Sequence, residues 1–189
     1  MNDECRVTIQ MILAGNKDAF KSFVEEYQRL VSHIVFKMVT NRADREDICQ
    51  DVFIKVYENL GSFRFESKIS TWIAQIAYNA SVSYLRKNKL TIDDNPAIEA
   101  DVVQYISDGG CTPADYTESR DTLLRLAIEI DRIPALYGTI LSLYHLEEMS
   151  YAEIGQVMRM PEGTVKSYLF RARKLLKERL LAKYQREEL

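Results

Sequence analysis

The chain has little of what bends or staples a backbone: 7 glycines, 4 prolines and 3 cysteines in 189 residues. So few breakers leave long stretches that follow the helical period and show no convincing strand alternation. A sheet-based fold is excluded, and an all-α protein is predicted. Cys5, Cys49 and Cys111 are an odd, widely spaced set without a C-x-x-C pair. They point to neither a disulfide framework nor a zinc site, so no metal and no cofactor is expected, and a reducing cytoplasm fits. Of the 2 histidines, His33 is a lone one beside an apolar stripe and reads as structural or solvated rather than catalytic. Long apolar runs are missing too. The most apolar stretch, LVSHIVFKMV, is interrupted by His33 and Lys37, and the start, MNDECRVTIQ, has no basic region followed by an apolar core. Neither membrane insertion nor secretion is expected.

An excess of positive charge is also absent, since the net charge is −3 and the pI about 5.5. Its distribution matters more than its sum for any nucleic-acid binder. Residues 1–90 hold 13 basic and 11 acidic side chains, residues 91–118 none and 7, and residues 119–189 hold 12 and 10. The acidity belongs to the middle. That segment also carries Pro96, Gly109, Gly110 and Pro113 and loses the helical pattern, so it reads as an acidic linker between two small domains, 1–90 and 119–189.

What is present is clearest between Tyr151 and Lys174. The spacing of Ile154, Met158, Met160, Val165 and Tyr168 describes two short helices sharing one small core, a helix-turn-helix. Gly155 stands where the second helix comes closest. Pro161 fits the first turn of that helix and Glu162 complements its dipole. Arg159 occupies the turn position where a glycine with positive φ is common. The outward face carries Glu162, Gly163, Lys166, Ser167, Phe170 and Arg171, followed by Arg173, Lys174 and Lys177, a surface suited to DNA by charge and reach. Helix pairs of this spacing also occur in proteins that bind no DNA, and a basic helix end can simply complement the dipole.

Upstream, Ile9, Ile12 and Leu13 mark an opening helix, which Gly15 closes while Asn16 caps the next. From Asp18 to about Val39 an unbroken apolar stripe predicts a long core helix. In ADREDICQDVFIKVYENLGSF the stripe is Ile48, Val52, Val56 and Leu60, with Gly61 ending the helix. Gln50, Phe53 and Tyr57 lie off it, either as a docking surface or as a solvated face with a half-buried Phe. The connector Ser62 to Lys68 mixes Phe63 and Phe65 with Arg64 and Lys68. The helix after it packs Ile69, Trp72, Ile73, Ile76 and Ala80 inward, and turns Asn79, Ser83, Arg86 and Lys87 to another face. These side chains can hydrogen-bond bases and phosphates, and an aromatic loop can receive an unstacked base. For Phe63, core and stacking platform are close alternatives. A further helix is expected from Ser119 to about Asp131, before Ile133-Pro134 and a helix carrying Tyr137, Ile140, Leu141 and Tyr144.

On these residues the chain resembles the extracytoplasmic-function sigma factors of bacterial RNA polymerase. DREDICQDVFIKVYENLGSF and the pattern Thr71, Trp72, Asn79 and Arg86 are similar to that family's region two. IPALYGTILSLYHLEEMSYAEIGQVMRMPEGTVKSYLFRARKLL is similar to its region four. The resemblance implies two helical domains and a non-enzymatic role in promoter recognition and melting. It implies that Asp47, Gln50, Asp51, Phe53 and Tyr57 bind clamp helices of the polymerase core. Phe63, Lys68 and Asn79 would surround a flipped base of the minus-ten element, with Ser83, Tyr84, Arg86 and Lys87 near the strand. Glu162, Thr164, Lys166, Ser167, Phe170, Arg171 and Lys174 would enter the major groove at the minus-thirty-five element. The linker would pass through the channel later taken by RNA. Core polymerase, promoter DNA and an anti-sigma factor are the implied partners. Where the family often has Asp and Ala, this chain has Ser83 and Gly155. The competing readings are a stand-alone LuxR-like helix-turn-helix regulator, which would need no clamp-binding helix, and an enzyme using Cys49 with His33, which lacks an orienting third group.

Overall fold

The computed structural model describes residues 3–90, 129–130 and 132–184, all of whose regular elements are helical. The expected linker and most of the expected Ser119 to Asp131 helix lie outside these residues. The chain divides into two compact units, one built on residues 1–89 and one on the helices of the C-terminal half.

In the first unit, α1 (Asp3–Leu13) stops where Gly15 adopts φ +88. Asn16 N–H then bonds Met11 C=O at 3.0 Å and Gly15 N–H bonds Ile12 C=O at 2.9 Å, which satisfies carbonyls the helix end leaves open. The Asn16 side chain accepts from the N–H groups of Asp18 and Ala19 at 3.0 Å each and starts α2 (Lys17–Met38). Asn41 caps α3 (Arg42–Asn59) in the same way through Ala43 N–H. A short 3₁₀ turn, Leu60–Ser62, and a loop lead to α4 (Ile69–Leu90). The core joins Val31, Ile34 and Val35 of α2 to Val52 and Val56 of α3 and Ile73, Ala74 and Ala77 of α4, all fully buried. Burial of each larger side chain stabilises the unit by about 1.5–3 kcal/mol.

In the second unit, α5 (Ala135–His145) is followed by α6 (Tyr151–Met158) and α7 (Glu162–Tyr184). Ile140 and Leu143 of α5, Ile154 and Val157 of α6 and Val165, Leu169 and Ala172 of α7 form its core.

Three expectations need correction. Leu13 is 56% exposed, because the face of α1 that meets its neighbours centres on Ile9 and Ile12. Gly61 does not cap α3, since the helix ends at Asn59 and Gly61 sits inside the 3₁₀ turn without positive φ. Met160 and Tyr168 are only half-buried, while Val157, Leu169 and Ala172 close the helix-turn-helix core.

Candidate nucleic-acid interface

The helix-turn-helix is fixed at three points. At the start of α6, Ser150 and Glu153 cap one another: the Glu153 carboxylate accepts from Ser150 N–H at 2.8 Å and from its hydroxyl at 2.7 Å, and Glu153 N–H reaches back to Ser150 Oγ at 3.3 Å. In the turn, Arg159 takes φ +54, the left-handed conformation expected of a glycine there. Gly155 lets the turn fold back on α6, donated to by Met160 N–H at 3.0 Å; a Cβ there would stand 2.7 Å from the Met160 carbonyl oxygen. Pro161 C=O accepts from Thr164 and Val165 and launches α7.

With Val165, Leu169 and Ala172 turned inward, the opposite side of α7 leaves Glu162, Lys166, Ser167, Phe170, Arg171 and Lys174 exposed, and Thr164 half-buried at the edge. Every residue expected in the major groove therefore shares one continuous strip. Ser167 donates to Gly163 C=O at 2.9 Å and keeps its lone pairs outward. Phe170 is 71% exposed, an unusual cost for an aromatic ring unless something covers it.

In the first unit, Asp47, Gln50, Asp51 and Tyr57 are exposed on α3 and Phe53 is half-buried. Gln50, Phe53 and Tyr57 line an apolar groove of about 1100 Å³ between α2 and α3, whose walls also include Phe20, Val24, Phe36 and Ile54, while Asp47 and Asp51 do not line it. Phe36 and Ile54 were not singled out from sequence, although both interrupt polar faces. Cys49 lines the same groove, and burial pushes its thiol above the usual range, away from the thiolate a nucleophile needs.

At the far end of α3, a polar cavity of about 330 Å³ lies against α4, with Lys55, Asn59, Ser62, Trp72, Asn79 and Ser83 around it. Asn79 and Ser83 are thus brought together, and Lys55, Asn59 and Ser62 join them unforeseen. Phe63 and Lys68 do not line this cavity. Phe63 is only 8% exposed, its ring 4.8 Å from Phe65 and 5.3 Å from Trp72, so its place is in the core rather than on an open platform. Phe65 holds φ +59 beneath the Arg6 guanidinium, 4.6 Å above its ring. The Tyr84 hydroxyl donates to Asp44 across the two helices, while Ser83, Arg86 and Lys87 are exposed. Among the described residues there is no cluster able to hold a metal ion, and no helix is long and apolar enough to cross a membrane.

Two family models match the chain: Sigma-70 region 2 over residues 23–91 and Sigma-70, region 4 over residues 124–176. It is 32% identical over 176 residues to the ECF RNA polymerase sigma factor SigW of Bacillus subtilis, covering 91% of this chain and 94% of that one. It is also 32% identical over 178 residues to the ECF RNA polymerase sigma-E factor of Escherichia coli K12, covering 90% and 91%. Two solved structures share the fold. One is the sigma factor RpoE of Bartonella quintana in complex with the anti-sigma factor NepR, with TM-score 0.65, 23% identity, and 86% of this chain and 99% of that one covered. The other is CnrH in complex with the cytosolic domain of CnrY, with TM-score 0.63, 18% identity, and 94% and 97% covered.

Proposed function

This chain belongs to the ECF RNA polymerase sigma factors of the sigma-70 family, and from that premise we propose how its two ends divide the work. As a sigma factor it is a non-enzymatic polymerase subunit that binds the core enzyme and directs it to promoter DNA. The observation that carries this is the presence of both family regions, in order, on a chain aligned over nine-tenths of its length with such factors. A stand-alone regulator would have no use for the first region.

Residues 1–90 anchor to the core and open the minus-ten element. Asp47, Gln50, Asp51, Phe53 and Tyr57 meet the clamp helices, with the groove between α2 and α3 supplying apolar area and the acids supplying orientation. Asn79 and Ser83 take an unstacked base at the polar cavity, whose volume suits one base. Amide and hydroxyl groups there replace the hydrogen bonds lost on unpairing, which offsets an extrusion cost of a few kcal/mol. Phe63 supports this wall from the core, while Lys68, Tyr84, Arg86 and Lys87 follow the strand. Residues 91–118 join the two regions in sequence, and their acids would stand in for nucleic acid in a basic channel of the core enzyme. Residues 119–189 read the minus-thirty-five duplex through Glu162, Thr164, Lys166, Ser167, Phe170, Arg171 and Lys174. The protein acts in the cytoplasm. Its fold neighbour RpoE was solved bound to an anti-sigma factor, and the exposed apolar groove of this chain suits an inhibitor of the same kind.

Run-off transcription by bacterial core polymerase on random promoters, with and without the chain, tests this reading. Transcripts sharing a two-part motif only in its presence are expected; no stimulation in any salt condition would refute it.

A further inference from the structure

The side of α7 next to the proposed reading strip carries two cations on one line. Lys166 belongs to the strip, and Arg173 follows seven residues later, two turns along and roughly 10 Å away on the helix axis. Both are exposed. Two tyrosines from other helices fill the space between them. Lys166 Nζ stands 5.3 Å from the centroid of the Tyr151 ring. Tyr151 stacks on Tyr144 at 5.3 Å with 13° between the planes, and the Arg173 guanidinium lies 5.0 Å over Tyr144. The order is cation, ring, ring, cation, drawn from α5, α6 and α7. His145 completes it: its ring meets Tyr144 edge-on at 4.9 Å, and its Nε2 accepts from Arg173 Nε at 3.3 Å.

A staple between helices would need the tyrosines but not a cation held to solvent at each end. A free lysine or arginine loses rotamer freedom when it grips an anion, whereas one already resting on a ring has lost much of it beforehand. Tyr151 also stands in the first turn of the helix that, in a helix-turn-helix, crosses the DNA backbone.

We infer that Lys166, Tyr151, Tyr144 and Arg173 form a pre-ordered rail that grips phosphodiester groups along one strand beside the minus-thirty-five element. The inference rests on α7 being the recognition helix. Arg173, Tyr144 and Tyr151 are then positioning residues for the duplex, in addition to the strip that reads bases. Phosphate contacts carry no sequence information, so the rail adds affinity equally on every promoter.

The test uses the full chain bound to core polymerase, with promoter affinity measured between about 50 and about 200 mM salt. Arg173→Gln is expected to weaken binding roughly threefold to tenfold on all promoter variants and to reduce the salt slope by about one. The pair Tyr144→Leu with Tyr151→Leu gives a comparable loss at unchanged affinity for core polymerase. The pair Tyr144→Phe with Tyr151→Phe, which keeps both rings, restores affinity and slope. A Phe pair as defective as the Leu pair would assign the contact to the hydroxyls and overturn the rail. So would an Arg173→Gln protein with unchanged affinity and slope while Arg171→Ala still fails. If Arg171→Ala and Lys166→Ala also bind normally, the reading of α7 itself is wrong. Should the Leu pair not fold, Arg173→Gln and the Phe pair still decide.

Discussion

In the first unit, Phe36, Ile54 and Tyr57 are 45%, 55% and 50% exposed around one apolar groove, whereas the first three turns of α7 expose a single large apolar side chain, Phe170, among cations. On the reading proposed above, the difference follows from what each surface meets. A protein partner repays apolar exposure by burying it, and a groove of aromatic and aliphatic walls gives the centre of such an interface. A DNA duplex offers charge and hydrogen-bonding edges, so the second unit hides its apolar residues under α7 and presents rigid polar groups. Both units are made of amphipathic helices; they differ in which face was left uncovered.

The comparison is broken most severely by charging the groove. Ile54→Asp places a carboxylate where a partner must exclude water, and affinity for core polymerase should fall about 100-fold, with the duplex-binding half unaffected. A titration of labelled core enzyme measures it; loss below about threefold would move the docking surface elsewhere.

Gly155→Ala comes next and acts only on the second unit. The added Cβ has to move a backbone carbonyl now 2.7 Å away, so the turn must open and stability should drop by about 1–3 kcal/mol. Denaturant unfolding followed by near-ultraviolet signals of the tyrosine-rich second unit gives the number, and core-polymerase binding should remain.

Asn79→Ala sharpens the contrast within the first unit. It should slow open-complex formation about tenfold by leaving the extruded base one or two hydrogen bonds short, while changing core affinity less than twofold. Permanganate reactivity of unpaired thymines against core binding separates the two. Equal losses would place Asn79 in the docking surface instead.

Much of this was legible in the sequence because it is local. The Gly15-Asn16 punctuation, the unbroken stripe of α2, and the left-handed turn forced on Arg159 each follow from residues within one or two turns of each other. The shared outward face of the α7 residues proposed to read DNA was legible for the same reason: seven residues on one helix have their relative directions fixed by the period alone. What escaped depends on how helices meet. Ile54 and Phe36 become a groove only once α2 and α3 are paired, and Lys55 and Asn59 line the polar cavity only because α4 lies across the end of α3. The stack of Tyr151 on Tyr144 needs three helices in place, and Phe63 could be settled as core only when Phe65 and Trp72 closed over it.

The smallest expected effect concerns pH and again separates the units. Burial, and then the neighbouring Arg173 charge, hold His145 below its ordinary value of 6.5. The unfolded chain therefore takes up a proton on this ring at a pH where the folded unit resists it. The sign follows: the stability contributed by neutral His145 is fully present above about pH 6.5 and is lost as the pH falls through the lower folded value. Protonation would also remove the acceptor that Arg173 Nε now uses and set a second positive charge against it, loosening the end of the ring stack at Tyr144. Unfolding midpoints of the second unit should decline modestly between about pH 7.5 and about pH 5.5, and His145→Gln should flatten that slope while leaving the first unit unchanged. A slope that survives the substitution would assign the acid sensitivity to other groups.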